Sequence, residues 1–180
     1  MEAELSIRAG IRHLSAGAAL LAVLLFPAVA PAQENGLSPP RNQVILRVSG
    51  NILHTNAGDE AHFDRAMIEA LPIHRLETST AVTDGTNLFE GVLMRDLLEA
   101  VGARGEVVTA TALNDYTIDI PMGDFTEFGV IAAFSMDGKR LLPRDKGPLW
   151  IVYPRDDHAE LLDIRYDYRW VWQLDRLEVR

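Results

Sequence analysis

Phe89-Glu90-Gly91-Val92-Leu93-Met94-Arg95-Asp96-Leu97-Leu98-Glu99-Ala100-Val101-Gly102 changes its period part-way along. Up to Glu90 it continues a strand-like run that begins at Thr86. From Leu93 the apolar residues Leu93, Leu97, Leu98 and Val101 recur at helical spacing, the single stripe of a helix with one buried face. Gly102 follows at the position where a helix end needs a left-handed residue, which glycine adopts without the Cβ penalty. The stretch therefore predicts a strand that feeds directly into a short helix.

Working upstream, Arg75 to Val82 reads as the preceding strand. Asp84-Gly85 between the two runs predicts a tight hairpin turn. Phe63, Met67, Ala70 and Leu71 lie at helical spacing, and Pro72 ends that helix. Val44, Leu46 and Val48 alternate with Ile45, Arg47 and Ser49, as in a half-buried strand, and Gly50 stops it.

Downstream, Val107 to Ala112 and Tyr116 to Ile120 pair around Asn114-Asp115, and Val130 to Met136 pairs with Lys139 to Leu142 around Asp137-Gly138. Leu149 to Tyr153 is apolar throughout and predicts a strand covered on both faces. Near the end Trp172 and Leu174 share one phase, Leu177 and Val179 the other, so a bulge is expected near Asp175-Arg176. Seven or eight short strands and two main helices, without βαβ alternation, predict an α+β domain with mixed, mostly antiparallel sheets.

The first 32 residues are of a different kind. Arg8 and Arg12, the apolar run from Leu14 to Phe26 and the small residues Ala28-Val29-Ala30-Pro31-Ala32 follow the order of a secretory signal peptide. The apolar run is shorter than the roughly 20 residues of a spanning helix. The expected division is a signal peptide at 1–32, a linker at 33–42 rich in turn residues, and one domain at 43–180. The expected location is the periplasm or the medium, with no stable membrane anchor after cleavage. The arginines are not adjacent, so the signal reads as one for export of unfolded chain and not the twin-arginine type.

The chain has no cysteine and a net charge of −9. Disulfides, thiolate metal sites and cysteine nucleophiles are excluded, and the core alone must hold the fold. An acidic domain without a basic cluster repels phosphate backbones, which argues against nucleic acid as a partner. The four histidines beyond residue 32, His54, His62, His74 and His158, show no ligand spacing for zinc.

The order of segments resembles the molybdopterin-binding oxidoreductase domain, the central fold of sulfite oxidase, assimilatory nitrate reductase and bacterial periplasmic methionine-sulfoxide reductase. The matching residues are Val44 to Gly50, Phe63-Asp64 through Ile68 to Leu71-Pro72, and the Phe89–Gly102 stretch. Ala112-Leu113-Asn114-Asp115-Tyr116 through Ile120-Pro121 follows, then Asp137-Gly138-Lys139, Lys146-Gly147-Pro148-Leu149 and Arg169-Trp170-Val171. The resemblance implies a sulfite-oxidase-type fold over nearly the whole of 43–180.

It also implies a metal ligand that this chain lacks. Family enzymes hold molybdenum through one cysteine on the strand after the Leu-Pro helix. Here that stretch is Leu76-Glu77-Thr78-Ser79-Thr80, and Thr78 stands nearest to the thiolate's place. A neutral hydroxyl is a poor substitute for a soft anionic sulfur. In place of the family's His-Gly-x-Pro-x-Arg motif, whose basic groups contact the pterin phosphate, this chain reads Asp145-Lys146-Gly147-Pro148-Leu149-Trp150, with Lys146 taken for the histidine and an aromatic at the arginine position, so one charge is kept and the other is not. Such cofactors are inserted in the cytoplasm, so a signal for unfolded chain implies an empty protein.

The expectation is therefore a periplasmic protein of this fold with no cofactor, acting as a ligand-binding or sensor-partner module. The alternative is an active molybdopterin-dependent oxidoreductase with atypical ligation. The expected pocket is bordered by Thr78, Ser79, Asn114, Asp115, Tyr116, Lys146, Gly147 and Trp150. Lys146 favours a small anionic or polar ligand; the other expected partner is the extracytoplasmic domain of a membrane sensor. Asp156-Asp157-His158-Ala159-Glu160 reads as a solvated acidic loop whose Asp157 or His158 caps a neighbouring element. In Tyr166-Asp167-Tyr168-Arg169-Trp170-Val171-Trp172, Trp172 is expected in the core, while Tyr166 and Tyr168 are the candidates for a pocket wall.

Overall fold

Val44–Gly50 (β1) inserts between two partners that lie far apart in the chain. It pairs antiparallel with Ala61–Asp64 (β2) and parallel with the last strand, Leu174–Val179 (β10). The structure, a computed structural model, describes residues 36–180; the expected signal peptide and the start of the linker lie outside them. Leu46 and Val48 are fully buried and Ile45, Arg47 and Ser49 are not, as the alternation predicts. Beyond β10 come Val107–Ala112 (β5) and Thr117–Pro121 (β6), completing a five-stranded sheet in the order β2-β1-β10-β5-β6.

The second sheet is antiparallel throughout. Ile73–Ser79 (β3), Thr86–Leu93 (β4), Ile131–Met136 (β7) and Lys139–Arg140 (β8) follow one another, and Trp150–Val152 (β9) pairs with β7. Asp137 and Gly138 take φ of 50° and 71° and join Met136 to its partner Lys139, the mirror-image turn expected from their identities. The register shift between Leu174 and Arg176 is the expected bulge.

Four short α-helices connect these strands: Arg65–Glu69 (α1), Met94–Ala100 (α2), Met122–Glu127 (α3) and Ile164–Asp167 (α4). The sequence reading finds α1 and α2. It starts α1 too early, because Phe63 belongs to β2 and pairs with Leu46. Asp64 begins the helix, accepting from the Met67 N–H at 3.0 Å. At the far end of α2, Gly102 donates to the Glu99 carbonyl at 2.8 Å and Ala103 to that of Leu98 at 2.9 Å. These are the two bonds of a Schellman motif, with Gly102 at φ 61°.

One continuous core fills the space the elements enclose. Phe63, Phe89, Phe125, Trp150 and Tyr153 are its largest sealed side chains. Each contributes about 1.5–3 kcal/mol by leaving water, which is how a chain without disulfides holds together. Tyr153 hydroxyl donates to Asp124 at 2.8 Å, and Arg169 pairs with the same carboxylate, tying α3 to the segment after α4. Burial, and then the Asp124 charge, push the Tyr153 phenol far above its ordinary pKa. Among the described residues no helix is long and apolar enough to cross a membrane.

Candidate functional site

A cleft of about 360 Å³ opens where three distant segments meet. Ala81 and Val82 come from the loop after β3. Ala112, Asn114 and Tyr116 come from the β5–β6 connection. Ile164, Asp167, Tyr168, Trp170, Val171 and Trp172 come from α4 and the chain that follows it. The volume lies within the range of small-molecule sites, and the wall is mainly aromatic and aliphatic with a few polar groups.

Each segment is held in place by its own sequence. Thr80 Oγ1 accepts from the Val82 N–H at 3.0 Å and lies 2.8 Å from Thr83 Oγ1, which curls the β3–β4 loop. Asp115 takes a φ of 62° and Asn114 Oδ1 accepts from the Tyr116 N–H at 3.1 Å, the local chemistry of a polar turn. Tyr116 hydroxyl then reaches across and donates to the Tyr168 carbonyl at 2.8 Å, closing one end of the cleft. Its pKa is raised, by burial first and the neighbouring Tyr168 second.

The residues expected at the pocket fall into three groups. Asn114 and Tyr116 line the cleft, with the exposed Asp115 beside them bound to Arg176 Nη2 at 3.1 Å. Thr78 lies fully buried in β3; its hydroxyl donates to the Ser79 carbonyl and accepts from the Asp156 N–H, each at 3.3 Å. Ser79 is clamped by Asp156, through its N–H at 2.7 Å and its hydroxyl at 2.5 Å. Those two bonds hold the Asp156 carboxyl below the usual range. The acidic loop thus ties to a neighbour through Asp156 and not through Asp157 or His158, the residues expected to do so. No group of side chains among the described residues is arranged to hold a metal ion.

Lys146, Gly147 and Trp150 form the third group. Trp150 is fully buried, edge-on to Phe89 with ring centroids 5.4 Å apart. Lys146 Nζ lies 5.6 Å from the Trp150 ring centre and 5.7 Å from that of Trp172, within cation–π range of both. It meets the cleft only through Trp172, the ring they share. The Lys146 carbonyl accepts from Gln173 N–H at 2.9 Å, and Gln173 Nε2 donates to the Pro143 carbonyl at 2.6 Å. Gly147 is required there, since a Cβ would sit 2.4 Å from the Leu141 backbone.

The expectation that Trp172 belongs to the core is corrected: it is 38% exposed and walls the cleft, whereas Trp170 is the sealed ring. Trp172 precedes β10 and so escapes the strand alternation by which its burial is predicted. Tyr168 is on the wall as expected; Tyr166 instead stacks under Arg169 at 4.6 Å. Val82, Ile164 and Asp167 are wall residues that sequence reasoning misses. No motif marks an apolar residue left facing water.

Comparisons with known proteins bear on the whole arrangement. Residues 62–160 match the family model described as "Oxidoreductase molybdopterin binding domain". The crystal structure of the sulfane dehydrogenase SoxCD from Paracoccus pantotrophus is similar in fold, with a TM-score of 0.55 and 17% identity. That match covers 74% of this chain and 37% of the SoxCD chain. A search of curated proteins finds no significant match.

Proposed function

Because the chain belongs to the oxidoreductase molybdopterin-binding domain family, we propose that it is an exported, periplasmic member that carries no molybdenum and uses its cleft as a ligand-binding or sensor-partner module. The observation that carries this reading is the state of Thr78. Where family enzymes present a thiolate, this chain has a hydroxyl that is sealed from solvent and bonded on both sides within the protein. A metal there would have to break both bonds and would gain a weak, neutral ligand.

The phosphate end of the pterin fits no better. The arginine of the family motif is replaced by Trp150, which is core, and Lys146 rests against two indole rings. Asp167 is the one formally charged residue on the cleft wall. The residues present therefore do not fit the group, and no redox step is assigned to this chain. The activity named for SoxCD stays with that protein.

In this reading the cleft takes a small polar or anionic ligand, and the extracytoplasmic domain of a membrane sensor is the other partner considered. The chain purified from its native host, denatured and extracted, should release no pterin by mass spectrometry. A pterin recovered in near-equal amount to the chain would overturn the proposal and restore an oxidoreductase with atypical ligation.

A further inference from the structure

Tyr116, Tyr168, Trp170 and Trp172 border the cleft, and Asp167 is the one charged residue beside them. Trp170 is packed, its ring tilted against Tyr153 at 6.1 Å and edge-on to Trp150 at 6.3 Å. The other three rings are not. Tyr116, Tyr168 and Trp172 are 41, 57 and 38% exposed. Among the described residues none of the three pairs with another aromatic ring. Aromatic side chains ordinarily gain by packing on one another, so three open rings around one cavity leave ring surface for a guest.

The face of such a ring is electrically negative and attracts a cation placed within about 6 Å of its centre. Trp172 already does so with Lys146, whose Nζ lies 5.7 Å away although Lys146 is not on the cleft wall. Asp167 adds a formal negative charge, answered only by Arg155 Nη2 at 3.9 Å, and Arg155 is off the wall as well. The net charge of −9 draws cations to the whole molecule. The wall also selects the kind of cation. A primary ammonium carries three donors that need acceptors. Here Asn114 Oδ1 is already taken by the Tyr116 N–H, which leaves few. A quaternary ammonium has no donor, and its methyl groups suit Val82, Ile164 and the rings.

We infer that the cleft is an aromatic cage for a small quaternary ammonium compound, with the methylated nitrogen among Tyr116, Tyr168 and Trp172 and its charge balanced by Asp167. The inference rests on the ligand-binding reading above; it keeps the polar ligand of that reading and replaces the anion with a cation. Lys146 is a like charge on a shared ring, and the preference for a cation prevails against it.

Three probes of one shape and different charge separate the outcomes by calorimetric titration of the exported chain. They are choline, the neutral alcohol in which a tert-butyl group replaces the trimethylammonium, and tert-butylacetic acid as its anion. Choline should bind at one saturable site, about five- to thirtyfold more tightly than the alcohol, the span of cation–π attraction from exposed to desolvated sites. The anion should bind most weakly. Asp167→Asn and Tyr168→Leu should each lower the affinity for choline by about three- to tenfold and leave that for the alcohol unchanged. Tyr168 is exposed, and its carbonyl, which Tyr116 uses, survives the change. Equal affinity for choline and the alcohol, tighter binding of the anion, no saturable choline binding, or indifference of choline to either variant would each overturn the inference. Those failures leave the ligand-binding reading standing; only a pterin released from the native protein removes the reading itself.

Discussion

Asp64 shows how much one carboxylate can organise. Oδ1 caps α1 through the Met67 N–H, and Oδ2 accepts from the Arg41 and Asn42 N–H groups at 2.9 Å each and from Asn42 Nδ2 at 3.2 Å. The Met67 bond is the largest cause that holds its pKa below the ordinary value, against the opposing effect of burial. A carboxyl with a depressed folded pKa contributes stability that is complete above its unfolded value of about 3.9 and lost as pH falls through the folded one. Asp64→Asn keeps a capping oxygen but cannot titrate. Thermal denaturation should show wild type losing its advantage over Asp64→Asn as pH falls from about 5 to about 2. Parallel curves across that window would contradict the assignment. The sequence reading quotes Asp64 only as part of a motif, because a side chain that binds residues 22 and 23 positions back leaves no local signal.

At the scale of elements, two glycines of the Phe89–Gly102 stretch separate conformation from space. Gly102 sits at φ 61°, and a Cβ there would come within 2.9 Å of the Leu53 side chain, which can yield. Gly102→Ala should cost about 1–2 kcal/mol, the price of a left-handed L-residue, read from denaturant unfolding. Gly91 lies in β4, and a Cβ would meet the Ala132 carbonyl of β7 at 2.3 Å, backbone against backbone. Gly91→Ala should therefore be far worse, with loss of the cooperative transition; equal costs for the two would show that strand spacing is not the constraint. The legible elements were those with a periodic face or a turn that demands positive φ: α2, β1 and the Asp137-Gly138 hairpin. The Asp84-Gly85 pair was misleading as a tight turn, because the strands stop at Ser79 and Thr86. The Asp156 clamp and the Thr80–Thr83 contact end β3 early. Helix α3 stayed hidden because Met122–Glu127 spans too few turns for a stripe and buries only Asp124 and Phe125. The cleft itself was half legible: the resemblance pointed to Asn114 and Tyr116, while Val82, Ile164 and Asp167 become neighbours only through the fold.

For the molecule as a whole, two sheets of a molybdopterin-binding family enclose a core that includes both residues on which the proposal turns: the one proposed at the thiolate's place and the one proposed at the place of the phosphate-contacting arginine. Thr78 is sealed in β3 and Trp150 is sealed in β9. Export as an unfolded chain, the reading of the first 32 residues, is consistent with a protein that reaches its compartment empty, and both belong to the same proposal. The metal content of the native protein decides it. The chain isolated from its native host without added metal, analysed for molybdenum by elemental mass spectrometry, should carry far less than one atom per chain. Molybdenum at close to one atom per chain would contradict the account.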